Sequence, residues 1–301
     1  MSVLVVGSVA FDSIKTPAGE AQEILGGAAT YFAVTASYFT PVRIVAVVGD
    51  DFGSEQLKTF EGRPIDTSGL ERASGRTFRW AGEYHGDMNE AKTLDTQLNV
   101  FANFAPKLPP AYLDTDFVFL ANIQPTLQLE VREQLPKARL VGLDTMNYWI
   151  NGTPDELRRA LGRVDLMMIN DKEARMLAGI DNLPRAAAAI RKLGPRTLVI
   201  KRGEYGAGLF QEDGFFFAPG YPLEEIRDPT GAGDTFAGGF MGYLARAGEA
   251  SLPNLRRALV YGSVMASFAV EDFGLTRLLS LTPAHIEDRF EQFRRMTHFD
   301  V

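Results

Sequence analysis

The chain has 301 residues, an ordinary hydrophobic content of 46%, and 31 Lys plus Arg against 38 Asp plus Glu, for a net charge of -7. That balance argues against nonspecific nucleic-acid binding, and the absence of cysteine excludes disulfides, zinc thiolates and a cysteine nucleophile. No apolar run approaches the roughly 18 residues of a membrane span and no basic region precedes the first strand, so the expectation is one soluble, cytoplasmic α/β domain over residues 1–301.

Val3 to Val9 is a continuous apolar run, the pattern of a strand buried on both faces of a parallel sheet, and it ends at Ala10-Phe11-Asp12-Ser13. Ligands of open α/β sheets collect at such strand ends. Asp12 therefore stands where it can accept hydrogen bonds from a substrate's hydroxyls, with a turn-stabilising role as the alternative. Gly26-Gly27 opens a helix of small and aromatic residues reaching about Phe39, and glycines there let a ligand approach the backbone. Val42 to Val48 is the second buried strand, ending at Gly49-Asp50-Asp51-Phe52-Gly53.

Between Arg76 and Phe104 the pattern changes. Phe78, Trp80, Gly82 and Tyr84 alternate with polar residues, Asp87 to Leu94 is polar, and Thr96 to Phe104 alternates again: a hairpin exposed on one face. An antiparallel excursion from a parallel sheet has the form of a lid. Trp80 and Tyr84 are able to stack on a sugar or a base there, or to pack on each other or on a second subunit.

Past Pro106 to Pro110, strands are expected at 116–121, 140–143 and 164–169, with a helix over 126–135 and another opening at Thr153-Pro154-Asp155-Glu156. Asn170 and Glu173 then lie three apart at a helix start, where a carboxylate can reach Mg²⁺ through water and an amide can donate to a phosphate. An ordinary capping box has the same spacing. A basic, alanine-rich helix over 185–193 and a strand over 197–201 lead to Lys201-Arg202-Gly203-Glu204-Tyr205-Gly206, a Gly-rich turn followed by a hairpin through Asp213-Gly214.

Asp228-Pro229-Thr230-Gly231-Ala232-Gly233-Asp234-Thr235-Phe236-Ala237-Gly238-Gly239-Phe240 reads as a loop turning directly into a helix. The free N–H groups of a first helical turn and the aligned peptide dipoles make an anion site. Asp234 would repel a phosphate held there unless it has a task, and the natural task is to take a proton from an attacking hydroxyl while the amides of Gly231, Ala232 and Gly233 hold the charge on the transferred group. No Gly-x-x-x-x-Gly-Lys-Ser/Thr occurs, and Phe236 stands where a dinucleotide fingerprint needs glycine. Asn254 to Val270 is a further helix whose Gly262, Ser263, Ala266 and Ser267 leave room for a planar base, and Thr282-Pro283 caps a last helix to about Met296.

The stretch from Asp228 to Phe240 resembles the C-terminal signature of the PfkB, or ribokinase-like, family of carbohydrate and nucleoside kinases, with Pro229 where Thr is usual. The resemblance extends to Gly26-Gly27, to Gly49–Gly53, to Asn170 with Glu173, and to Lys201-x-Gly203-x-x-Gly206. It implies a ribokinase-like fold, a large mostly parallel sheet flanked by helices with a small β-sheet lid from about 12–24 and 76–104. It also implies ATP-dependent phosphorylation of a hydroxymethyl on a sugar, or, as the alternative, on a nucleoside.

By the same resemblance Asp12, Gly26, Gly27, Tyr31 and Trp80 belong to the substrate side, and Asn170, Lys201, Gly203, Gly206 and Ser263 to the nucleotide. Glu173 would hold Mg²⁺, Asp228 and Thr230 would match a site for K⁺ or another monovalent cation, and the lid would join two copies as a homodimer. Tyr31 departs from the family's Asn, and Glu271-Asp272-Phe273-Gly274 from its R-x-G-A. A catalytically silent sugar- or nucleotide-binding regulator is the reading from another class, and the intact Asp234 and Glu173 speak against it.

Overall fold

The computed structural model describes residues 1–86 and 88–298. Asp87, which opens the polar stretch expected in the lid, lies outside the described residues. The strands are β1 (Val3–Val6), β2 (Ala10–Thr16), β3 (Gly19–Gly26), β4 (Val42–Val48), β5 (Ile65–Arg72), β6 (Phe78–Tyr84), β7 (Ala91–Gln97), β8 (Phe117–Leu120), β9 (Leu140–Asp144), β10 (Leu166–Asn170), β11 (Thr197–Lys201), β12 (Ala207–Gln211) and β13 (Gly214–Ala218).

Nine of them form a large sheet in the order β13-β12-β11-β10-β9-β8-β1-β4-β5, parallel except for the antiparallel pairs β11–β12 and β12–β13. Apolar runs make this sheet because both faces are covered. Val3 and Val5 enter a core shared with the helices Ala28–Ala36, Ala232–Ala247 and Leu252–Ala269, while Leu4 and Val6 enter a second core with the helices Pro125–Gln134, Pro154–Leu161 and Leu183–Arg191. The glycine pair of the signature serves the first core. A β-carbon on Gly238 would lie 2.6 Å from the Phe32 carbonyl oxygen, and one on Gly239 2.9 Å from that of Tyr261, so each glycine lets one neighbouring helix approach.

β3-β2-β6-β7 make a separate four-stranded sheet. The run from Val3 to Val9, expected as one strand, divides between the two sheets. β1 stops at Val6, Gly7 crosses so tightly that its β-carbon would lie 2.8 Å from that of Ala121, and β2 starts at Ala10. β7 covers the polar residues Ala91–Gln97 rather than Thr96 to Phe104. Residues Asn99–Asn103 form a 3₁₀ turn whose Phe101 stacks between Phe78 and Phe104. β5 had no counterpart in the sequence reading because it is a half-exposed edge strand without an apolar run. Among the described residues no helix is long and apolar enough to cross a membrane.

The small sheet is tied down at several points. Asp51 accepts hydrogen bonds from the Thr77 amide and hydroxyl and from Arg79, and the Thr16 hydroxyl donates to the Arg227 carbonyl at 2.8 Å. At the far end Glu90 pairs with Lys172 at 3.0 Å. The sheet thus spans the C-terminal ends of the parallel strands, where ligands of such sheets bind.

Candidate active site

The anion site expected on the signature loop would be built from its backbone. Gly231 sits at φ 71°, the left-handed conformation that glycine adopts without strain, and starts the helix Ala232–Ala247. The Tyr31 ring is packed on its outer side, 2.5 Å from where a β-carbon on Gly231 would stand. Of the three amides expected to face a phosphoryl group, that of Ala232 donates to the Pro229 carbonyl at 3.2 Å. The amides of Gly231 and Gly233 have no protein acceptor among the described residues. Two amides rather than three are therefore open to a ligand, and the Lys201 ammonium lies against Gly233.

Asp234 stands on the first turn of that helix and keeps partial exposure. Burial raises its carboxyl to about 6, opposed by Lys201 and by its own backbone N–H. Asp144, Asn170 and Lys201 end the adjacent strands β9, β10 and β11, so sheet geometry alone brings them to one rim. Asp144 was not singled out from the sequence as a site residue, although a carboxylate ending a buried parallel strand is the available signal. It is buried, its Oδ1 has no partner, and burial followed by the charge of Asp234 pushes its carboxyl well above the ordinary value, against Lys201. The neighbouring Thr145 hydroxyl is also buried without a partner.

Asn170 and Glu173 form the capping box that their spacing allowed. The Glu173 amide donates to Asn170 Oδ1 at 2.8 Å and the Asn170 amide to Glu173 Oε2 at 3.1 Å. The Glu173 carboxyl is raised by burial and held back by the Asn170 amide and by Lys201. Gly203 (φ 54°) and Gly206 (φ 83°) shape the following turn, and a β-carbon on Gly206 would meet the Ala218 carbonyl oxygen at 2.1 Å. Asn89, at the tip of the small sheet, reaches the place a side chain on Gly203 would occupy. Ser263, expected at the nucleotide, is buried, and its hydroxyl donates to the Leu259 carbonyl at 3.2 Å. The small residues expected to leave room for a base are used in packing instead, with Gly262 against the Phe236 ring.

Asp12 lies across from Asp234 on the small sheet. A β-carbon on Gly26 would fall 1.9 Å from Asp12 Oδ2, and the Gly27 amide donates to the same carboxyl, so the glycine pair is its seat. Burial raises Asp12 to about 7, the Gly27 amide opposes this, and the charges of Asp228 and Asp234 add to it. Trp80 pairs with Asp12 in the parallel β2–β6 register and so shares its face of the sheet, half-buried, with its indole over Gly82. Tyr84, two residues on, accepts a hydrogen bond from the Thr230 hydroxyl at 3.2 Å.

Tyr31, expected on the substrate side, is buried, and its hydroxyl, without a partner, lies in the field of Asp12, Asp228 and Asp234. Asp228 is a loop anchor, with Oδ1 accepting from the Thr230 amide at 2.8 Å and Oδ2 from the Gly274 amide at 2.9 Å.

Carboxylates held above their usual range around one lysine, beside two open amides, suit a ligand that brings both phosphate and a cation. Among the described residues no three metal-ligating side chains converge on one point. Mg²⁺ does not call for such a cluster, since it keeps several waters and binds through one or two carboxylates plus phosphate oxygens.

The pattern that defines the pfkB family carbohydrate kinases matches residues 2–281. The chain is 31% identical over 252 residues to the cytidine kinase of Thermococcus kodakarensis, covering 82% of this chain and 89% of that one. The fold is that of the Burkholderia thailandensis nucleoside kinase solved with inosine (TM-score 0.78, 21% identity, 96% and 98% coverage). It is also that of an Escherichia coli putative ribokinase II solved with ATP and Mg²⁺ (TM-score 0.79, 19% identity, 97% and 99% coverage). By that match over residues 2–281 and by its likeness to the cytidine kinase, in a ribokinase-type fold, the chain belongs to the pfkB family of carbohydrate kinases, which are ATP-dependent phosphotransferases.

Proposed function

We propose that this kinase transfers the terminal phosphoryl group of ATP to the hydroxymethyl of a ribonucleoside. The observation that carries the chemistry is the placing of Asp234 between the open amides of Gly231 and Gly233 and the facing carboxyl of Asp12. Asp12 accepts hydrogen bonds from the acceptor's sugar hydroxyls and so orients it. Ionised Asp234 takes the proton of the hydroxymethyl as its oxygen attacks phosphorus. The two amides and Lys201 hold the charge on the phosphoryl oxygens, and they are in place beforehand. Glu173 and Asp144 are the carboxylates that would hold Mg²⁺ with the nucleotide, where it would neutralise phosphate charge.

A nucleoside is favoured over a free sugar by Trp80, a flat surface on the same face as Asp12, and by the cytidine and nucleoside kinases among the relatives. A ribose-type sugar is the second reading, since Asp12 serves either acceptor. A coupled assay across ribonucleosides and free sugars tests it. We expect nucleosides to lead in kcat/KM by about 100-fold or more, the discrimination expected when a site's stacking and polar groups are left unmatched. A preference for a free sugar would reassign the acceptor.

The oxygens of Asp228 are already engaged by Thr230 and Gly274, so a monovalent cation would sit against the loop's carbonyls; a KCl titration of activity reads this. The alternative, a homodimer joined through the small sheet, would cover Leu94 and Leu98, both exposed at its β7 side, and Leu94→Lys would dissociate it.

A further inference from the structure

The two sheets present four edges, and three of them are protected. β5 carries Asp66, Glu71 and Arg72 and pairs with β4 through a register shift. β3 carries Glu20 and Glu23 and is bulged against β2; β7 carries Lys92 and Asp95 and is bulged against β6. Charges and bulges are how proteins keep an open strand from pairing with another chain. The fourth edge, β13, is Gly214-Phe215-Phe216-Phe217-Ala218, with no charge, no proline and an unbroken register to β12.

Its outward backbone is ready to pair. Gln211 and Gly214 flank the two-residue turn Glu212-Asp213, so Leu209–Phe216 and Ala207–Ala218 are hydrogen-bonded pairs, and the N–H and C=O of Phe215 and Phe217 point away from β12. The side chains of these two residues are 69% and 40% exposed. They stand on one face with Phe210, with ring centroids 5.5 Å from each other and 6.5 and 5.6 Å from Phe210. Phe216 faces the opposite side under Arg256. Such a row of aromatics beside open backbone groups is an association surface.

We propose that β13 is a dimer interface, pairing antiparallel with β13 of a second copy of this chain to continue the large sheet across a two-fold axis. In the register that satisfies the outward groups, Phe215 lies opposite the partner's Phe217 and Phe217 opposite the partner's Phe215, a self-complementary arrangement. The same operation carries the acidic Glu212-Asp213 turn of one copy toward the end of the other strand, where Arg202 stands 6.0 Å from the Phe217 ring. Charge therefore matches as well as shape. This surface is distinct from the small sheet and does not depend on the acceptor assigned above.

Sedimentation equilibrium on the full chain tests the proposal. The wild type should be dimeric, and Phe215→Lys with Phe217→Lys should weaken association at least about tenfold, as loss of central aromatic anchors does, while kcat/KM stays within twofold. Asp213→Arg, a milder change at an exposed turn, should weaken association through repulsion with Arg202, and Leu94→Lys should leave it unchanged. A monomeric wild type overturns the proposal, as does a dimer that survives the double Phe substitution or that Leu94→Lys alone dissociates.

Discussion

The ammonium of Lys201, at the end of β11, lies against the Cα of Gly233, at the start of the signature helix, so closely that a β-carbon there would stand 2.8 Å from Nζ. The residue that makes the helix start open to an anion thus also makes room for the cation that completes the site.

Gly233→Ala should displace this flexible lysine rather than disturb the backbone. We expect melting unchanged within a degree or two and KM for ATP raised roughly tenfold, about the worth of one charge-assisted hydrogen bond. An unaltered KM would remove Lys201 from phosphate binding.

Asp234→Asn should lose roughly 10² to 10⁴ in turnover while ATP still binds by calorimetry. Because burial holds the native carboxyl at about 6, above its ordinary 3.8, ionisation opposes folding at neutral pH, so the same substitution should stabilise the ligand-free protein by on the order of 1 kcal/mol. Near-normal turnover would take the base role from Asp234.

The pH profile of kcat/KM follows from the same carboxyls. Asp234 at about 6 and Asp12 at about 7 must both lose a proton, so activity should climb between about pH 5 and 8, and Asp12→Asn should flatten the upper part of the rise as well as weaken acceptor binding. Stability should run the other way. Both folded values exceed the unfolded one, so the native state binds more protons across this window and melting temperature falls as pH rises from 4 to 7. A profile flat across this range would show that neither carboxyl titrates as its surroundings dictate.

Glu173→Gln separates two roles of one side chain. Glutamine can still accept from the Asn170 amide, so the cap and the fold should persist, while the Mg²⁺ concentration for half-maximal rate rises about tenfold or more. An unchanged Mg²⁺ titration would leave Glu173 with its cap alone.

Local pattern singled out the glycines, Asp12, Asp234 and the Asn170–Glu173 pair as candidates, and the resemblance to the family, not the pattern, gave Asp12 and the pair their expected roles. It missed Asp144, which has no motif and gains importance only when parallel pairing sets the end of β9 beside those of β10 and β11. Around Ser263, expected at the nucleotide, Gly239 and Gly262 draw two helices together, and its hydroxyl donates to the Leu259 carbonyl. β7 was displaced because the alternation of its true residues is polar, and the apolar alternation beyond it belongs to a 3₁₀ turn packed on Phe78.

What the sequence by itself determined is whatever depends on near neighbours along the chain: buried strands from apolar runs, helix starts from caps, and the loop-to-helix turn at Gly231. What only the tertiary structure decided is which groups share space. The seat of Asp12 under Gly26, the lysine against Gly233 and the raised carboxyls all arise between residues far apart in sequence, since desolvation and charge act through distance in space and not along the chain.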